Sequence, residues 1–360
     1  MDFLRVLDAV RSITGNRGED RFPAQPGPLL VIRSEQDARK VVMVHDAVLA
    51  KAVLESPAYR QYNFVERILS VAKPDRTAWI RRFCDVGLIM IDGPEHDRRR
   101  QATNELLEQC VSRLVGLPPE QAAAAALAAI PQGSGGSARD VARGLVVFLF
   151  AECIAAVTGK SVPPLDETIF AIDFFNPFPT LSTLYRSNEA LVRCCEAIGV
   201  HELGEAEQAT VLSLLVMGVS PLHAMFTAMM NAAIRAVQSG EDPLEAVRLA
   251  RGLDSYSIVA TNFVMRECVA ENVVGDEMIL PGDMVYSFLG SASGCPFTRQ
   301  TAIPFGAGRH YCSGAKLTSV MLNVAQKAMA AMGERLGSVS PSAVVQGKAH
   351  AFLAYRGADA

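Results

Sequence analysis

Aromatic residues are scarce in this 360-residue chain. They make up 7% of it, and Trp79 is the single tryptophan. No CxxC pair occurs, although cysteines stand at 84, 110, 153, 194, 195, 268, 295 and 312. That absence excludes the paired-thiolate zinc frameworks. No block of like charge occurs either. Charged residues are 20% of the chain, spread along it, with a net charge of −4. A basic field for nucleic acid is therefore excluded. The opening "MDFLRVLDAVRSITG" is amphipathic and acidic at its second position, and lacks the apolar run of a secretory signal. The most apolar run, "LVVFLFAECIAAV" (145–157), holds Glu152 and is too short to cross a bilayer. Most cysteines lie in apolar surroundings, where a reduced thiol acts as a small hydrophobe. These absences together point to a cytoplasmic, membrane-free protein in a reducing setting. With no internal repeat and no low-complexity linker, a single domain over 1–360 is expected.

Half of the residues are hydrophobic. "PPEQAAAAALAAIPQGSGGSARD" (118–140) reads as a helix ending before Pro131, then a surface loop. A helix is expected from Asp140 to Val157. "GKSVPPLDETIFAIDFFNPFPT" (159–180) reads as loop with short helix, its phenylalanines available to line an apolar pocket. From Glu205 to Val237 nearly every helical face is apolar, the mark of a buried helix. Gly218 and Pro221 interrupt it, and proline removes a helical hydrogen bond. Two readings stand: a core helix with a tolerated kink, or a helix that opens where it crosses an active site. After Arg251, β-branched alternation with turns at Gly275–Asp276 and Pro281–Gly282 predicts short strands and hairpins. Helical period returns after Cys312. The chain is mostly α with a small β part.

The chemistry gathers in "PFGAGRHYCSGAKL" (304–317). Its glycines allow tight turns and close approach to a flat partner. Cys312 stands where a helix begins, and a thiol there has its pKa lowered by the dipole and free N–H groups. That environment suits a thiolate held on a metal, although a lone buried cysteine in such a loop is equally a structural residue.

Phe305, Gly306, Gly308, His310, Cys312 and Gly314 resemble the haem-binding signature of the cytochrome P450 family, at its spacing. The resemblance implies that family's fold: a triangular helical prism with minor β sheets. It implies haem b with Cys312 as the thiolate ligand of the metal, and Phe305, Gly306, His310 and Gly314 beside it. "DVGLIMIDGPEHDRRRQATNELL" (85–107) is similar to the family's stretch leading into the helix beside the haem. His96 and Arg100 match its propionate-binding positions, and residues four apart share a helix face. Arg266 resembles the strand arginine at a propionate, and His310 a further propionate partner. Glu245 and Arg248 fit the E-x-x-R element, implying an internal ion pair; a second frame places "RLAR" (248–251) there instead.

Two departures from the family stand out. The segment 290–306 is much shorter than the usual meander. On the long helix, Ser220 and Pro221 replace the acid–alcohol pair that relays protons, leaving His223 as the nearest titratable side chain. The resemblance implies an oxygen-dependent monooxygenase supplied with electrons by ferredoxin and ferredoxin reductase. Its substrate is expected to be small or medium-sized and largely apolar, in bacterial secondary metabolism. Polar substrate contacts are expected from Arg81, Thr261 or Asn262. The missing pair leaves alternatives open: a peroxide-using enzyme, a haem-thiolate isomerase or dehydratase, or an inactive haem-binding companion protein.

Overall fold

The computed structural model describes residues 29–33, 39–44, 46–62, 64–130, 136–162, 167–172, 174, 180–253, 263–289, 303, 305–342, 344–345 and 354–355. The chain divides into two compact units.

The first unit draws on Met1–Asn63, Tyr256–Cys312 and His350–Ala354. Its strands are β1 (Leu29–Arg33), β2 (Lys40–Val44), β3 (Tyr59–Gln61), β4 (Phe263–Cys268), β5 (Asn272–Val274), β6 (Glu277–Ile279) and β7 (Met284–Phe288). Five of them form a sheet in the order β1-β2-β7-β4-β3, antiparallel except for the β2–β7 pair. β5 and β6 form a separate hairpin across the expected Gly275–Asp276 turn. The helix α1 (Ala47–Glu55) starts at Asp46, whose carboxylate accepts from the amides of Val48 (2.8 Å) and Leu49 (2.9 Å). Val42, Val44, Val53, Tyr59, Cys268 and Val285 make the core that this helix covers.

The second unit draws on Phe64–Ser255, Ser313–Ala349 and Tyr355–Ala360. It is helical: α2 (Phe64–Leu69), α3 (Ala78–Val86), α4 (Gly93–Val115), α5 (Pro119–Ala128), α6 (Ala138–Thr158), α7 (Leu181–Ile198), α8 (Glu205–Ser213), α9 (Val219–Ser239), α10 (Pro243–Leu253) and α11 (Ala315–Met332). The alanine-rich helix ends near the expected break. α6 then begins two residues before Asp140, because Ser137 and Asp140 form a reciprocal capping box. α6 and the Glu205–Ser239 stretch are each long and apolar enough to cross a membrane, so the expected length limit on 145–157 does not hold for the whole helix. More than half of each is buried within the protein, as core helices are.

The long apolar stretch is one helix in three parts. α8 passes into a π-helical turn, Leu214–Gly218, and α9 follows. The interruption precedes Pro221 rather than centring on it. The Phe-rich segment also departs from expectation. Phe174 is fully buried and meets Phe83 of α3 edge-on, 5.7 Å between centroids, so it fills core instead of lining a pocket. Phe175 and Phe178 lie outside the described residues.

Candidate functional site

The cysteine loop is built by its own backbone. Gly306 N–H donates to Ile303 O (2.8 Å), Tyr311 N–H to Gly308 O (3.0 Å) and Cys312 N–H to Phe305 O (2.9 Å). A 3₁₀ turn, Gly308–His310, lies inside that closure. Gly308 has φ +67°, and a Cβ there would stand 2.4 Å from the carbonyl oxygen of Leu54. The loop is thus seated on the last turn of α1, closer than any side chain permits. Gly306, at φ +72°, differs: nothing among the described residues lies within 4 Å of its missing Cβ. One flank of the loop is pinned and the other is open. Gly314 has φ −79°, so the local backbone does not require glycine there.

Exposure separates Cys312 from the other described cysteines. It is exposed, Cys84 is half-buried, and Cys110, Cys153, Cys194, Cys195 and Cys268 are buried. Burial pushes the Cys84 thiol up to about 12 and raises Cys195 and Cys268 as well. Cys153 is raised first by its contact with the Cys110 thiol and then by burial. The raised values keep the Cys84, Cys153, Cys195 and Cys268 thiols protonated at neutral pH, whereas the Cys312 thiol is exposed. An exposed thiol beside an open glycine flank fits a flat, thiolate-bound group.

Phe305, Gly306, His310 and Cys312 come together in this loop, with Phe305 and Tyr311 edge-on at 6.3 Å. His310 is half-buried. Arg266 lies in the same unit, buried in β4, where its guanidinium donates to the Gln61 side chain and to Met265 O (3.0 Å).

His96, Arg100, Ser220, Pro221, His223 and Gly314 belong to the helical unit. His96 is buried on α4, its Nδ1 3.2 Å from Asp97 Oδ1. Arg100, one turn on, is half-buried and lines a surface groove with Asp97, Gln101, Asn104, Glu105 and Glu108. Glu245 and Arg248 do pair, through two bonds of 2.7 and 2.6 Å, but both are exposed. The expectation of an internal strut is therefore corrected: α10 turns Val247 inward and leaves the pair in solvent.

Ser220 and Pro221 are half-buried on α9. His223 is buried, and its Nε2 donates to Arg139 O (3.3 Å). The Phe170 ring lies 4.8 Å from the imidazole, and the Arg143 guanidinium sits over that same phenyl ring, 5.0 Å from its centroid. Burial lowers the His223 pKa to about 4, so the imidazole is neutral at neutral pH. Arg81, expected at substrate, closes the end of α2: it donates to Leu69 O (2.5 Å), Ala72 O (3.3 Å) and Thr77 Oγ1 (3.0 Å). Thr261, Asn262 and most of 290–306 lie outside the described residues. Sequence reasoning passed over Phe150, which fills the space beside Gly218; an aromatic on one helix facing a glycine on another is visible only in three dimensions.

A helical unit, a small mixed sheet and a cysteine loop leading into a long helix define an α-rich class, with one exposed thiol among the described cysteines. Solved structures place it further. The tirandamycin C-bound P450 monooxygenase TamI is 20% identical, with 82% of each chain covered and a TM-score of 0.56. P450BioI, solved with hexadec-9Z-enoic acid ligated acyl carrier protein, is 16% identical; 86% of this chain and 88% of that one are covered, with a TM-score of 0.59. OxyA from Actinoplanes teichomyceticus is 16% identical over 92% of each chain, at a TM-score of 0.55. The chain has the cytochrome P450 fold. No protein-family model and no curated protein sequence matches it.

Proposed function

We propose that this protein is a haem-thiolate monooxygenase, one catalytic domain over 1–360, acting on a small or medium-sized, largely apolar substrate. The observation that carries the reading is the exposed Cys312 thiol in a loop pinned at Gly308 and open at Gly306. Cys312 would hold the iron of haem b. Phe305, Gly306 and Gly314 would border the ring, and His96, Arg100, Arg266 and His310 would bind its propionates, where cations suit carboxylates. Bound there, a thiolate-ligated haem supplies oxygen activation, the thiolate pushing electron density to favour O–O cleavage.

The chain's own residues bind and orient. The half-buried Ser220–Pro221 stretch would face the substrate. Ser220 keeps a hydroxyl that can hold a proton in transit but lacks a carboxylate's basicity. His223, expected as a relay, is held neutral by burial and would contribute only by passing a proton through its ring. Electrons would come from ferredoxin and its reductase, and the setting would be cytoplasmic, in bacterial secondary metabolism. The relatives of this fold include one solved with bound tirandamycin C and one described in teicoplanin biosynthesis, which supports that setting.

The Ser220–Pro221 replacement favours a second reading, a peroxide-driven enzyme that needs no proton relay. The test is the carbon monoxide difference spectrum of the reduced, purified chain. A red-shifted thiolate-type band, lost in Cys312→Ser, is expected; protein free of haem after expression with haem supply overturns the reading. Turnover with ferredoxin and reductase but not with peroxide separates the first version from the second.

A further inference from the structure

The β5–β6 hairpin is apolar on both faces. Its inner face, Val274 and Ile279, is buried in the core that α1 covers. Its outer face meets solvent. Val273 and Met278 stand opposite each other across the hairpin, 56% and 46% exposed. Leu280, two residues beyond Met278 and so on its side of the strand, is 47% exposed; Val269, ahead of β5, is 43% exposed. Four of the ten exposed large apolar side chains among the described residues therefore fall within 269–280. A hairpin with one face in water alternates apolar and polar residues, and clustered exposed apolar surface marks a docking site. The hairpin is anchored from below. Lys40 Nζ donates to Glu277 Oε1 (2.5 Å) and to Met278 O, while the Asp283 carboxylate accepts from the amides of Lys40 (2.9 Å) and Leu280 (2.8 Å).

The occupant follows from where the described chain begins. β1 starts at Leu29, whose Cδ1 would lie 2.9 Å from a Cβ on Gly275, at the hairpin turn. The chain before Leu29 therefore joins the fold beside this hairpin. In that chain Phe3, Val6, Leu7, Val10 and Ile13 fall on one helical stripe, with Arg5, Asp8 and Ser12 away from it. So short a helix persists only when its apolar stripe is covered. Residues 15–28, rich in glycine and proline, connect the two and reach at most about 46 Å, enough to fold back. Charge agrees. Every charged residue within 269–282 is acidic: Glu277 meets Lys40, and Glu271 and Asp276 are exposed. The segment brings Arg5 and Arg11. We propose that residues 3–13 lie as a helix along the outer face of the β5–β6 hairpin, the apolar stripe on Val273, Met278 and Leu280. A second copy fits less well, because two such faces would bring their acids together. The segment thus acts as a built-in cover, keeping an apolar two-stranded sheet from associating. Nothing in this depends on the haem chemistry proposed above.

Limited trypsin digestion of the full purified chain, followed by mass spectrometry, tests it through cleavage after Arg11. Met278→Asp changes an exposed side chain on the hairpin, remote in sequence from the cut. It should speed that cleavage about fivefold or more, the worth of one lost apolar contact. Val71→Asp, at a valine 70% exposed on the helical unit, is the control and should leave the rate unchanged. The reciprocal arm is Val10→Asp, which should raise anilinonaphthalene sulfonate fluorescence and speed amide hydrogen exchange across 272–279. Sedimentation of the parent chain should show a monomer. Equal cleavage in the parent and in Met278→Asp overturns the docking, as does equal acceleration by Val71→Asp. Unchanged dye binding and exchange in Val10→Asp overturn it from the other side. A parent dimer that Met278→Asp dissolves would make a second copy the occupant and overturn the built-in cover.

Discussion

The side-chain position of Gly308 lies 2.4 Å from the carbonyl oxygen of Leu54, while that of Gly306, two residues earlier in the same loop, meets nothing within 4 Å among the described residues. Both have positive φ, +67° and +72°. The two substitutions separate backbone strain from collision. Gly306→Ala should cost about 1 kcal/mol, the penalty for left-handed backbone in an L-residue. Gly308→Ala adds a clash with main chain that cannot rotate away, so it should cost at least about 2 kcal/mol and displace the loop from α1. Urea midpoints for the two variants check the order. Equal midpoints would mean that the loop is not seated on Leu54.

Asn188 performs a helix cap from outside the helix. It is buried on α7, and its Oδ1 accepts from the amides of Trp79 (3.0 Å) and Ile80 (3.3 Å), the first turn of α3. The helix does not cap itself at this end: Thr77, the residue before α3, makes no side-chain cap bond there. Asn188→Ala should cost about 1–2 kcal/mol, as loss of a cap does, with two amides left unanswered. Asn188→Asp should recover part of it, since a carboxylate accepts at the same place. Thermal unfolding of the pair of variants checks the ranking.

His223 makes a pH prediction with a definite sign. Its folded pKa is lowered to about 4 by burial, against an ordinary value near 6.5. Between those values the unfolded chain binds a proton that the folded chain refuses, so stability rises with pH there and falls as pH drops from about 6.5 to 4. The groups around the ring act in both directions: the Arg139 and Arg143 charges oppose its protonation, whereas Asp140 and the Arg139 carbonyl favour it. A loss of up to ~3 kcal/mol over that window is expected from this one residue. His223→Gln keeps a donor for Arg139 O and removes the titration. The slope of urea midpoint against pH between 4 and 6.5 should flatten in the variant; an unchanged slope would place the titration elsewhere.

Much of this was legible in the chain itself. The β5–β6 turn at Gly275–Asp276, the start of α6 and the helix after Cys312 follow from local signals, capping and turn chemistry. The cysteine loop was legible because its glycines, histidine and thiol carry a spacing that few other structures need. What could not be read were contacts between segments remote in sequence. Phe174 is core because Phe83 offers it a socket, and Arg81 caps α2 because three acceptors end there. The Glu245–Arg248 pair shows the converse: the spacing was right, but helix phase turned it to solvent.

Ser287 gives a last prediction, on the sheet itself. It sits in β7, opposite Val264 of β4 and beside Val44 of β2, so its side chain shares a face with valines. It is fully buried, and its hydroxyl has no hydrogen-bond partner among the described residues. A buried hydroxyl without a partner loses its water and gains nothing in exchange, at a cost of about 1–3 kcal/mol. Ser287→Ala removes the oxygen and leaves a space smaller than a methyl group. The penalty disappears and little packing is lost, so the variant should be as stable as the parent or up to ~1 kcal/mol more so. Ser287→Val tests the size of the site: strand propensity favours it, but two added carbons must fit a packed face, and overpacking costs about 1–3 kcal/mol. The expected order of stability is therefore alanine at or above serine, and valine below both, read from urea midpoints at one pH. A destabilised alanine variant would show that the hydroxyl is bonded after all, and would make Ser287 a structural polar residue of this sheet.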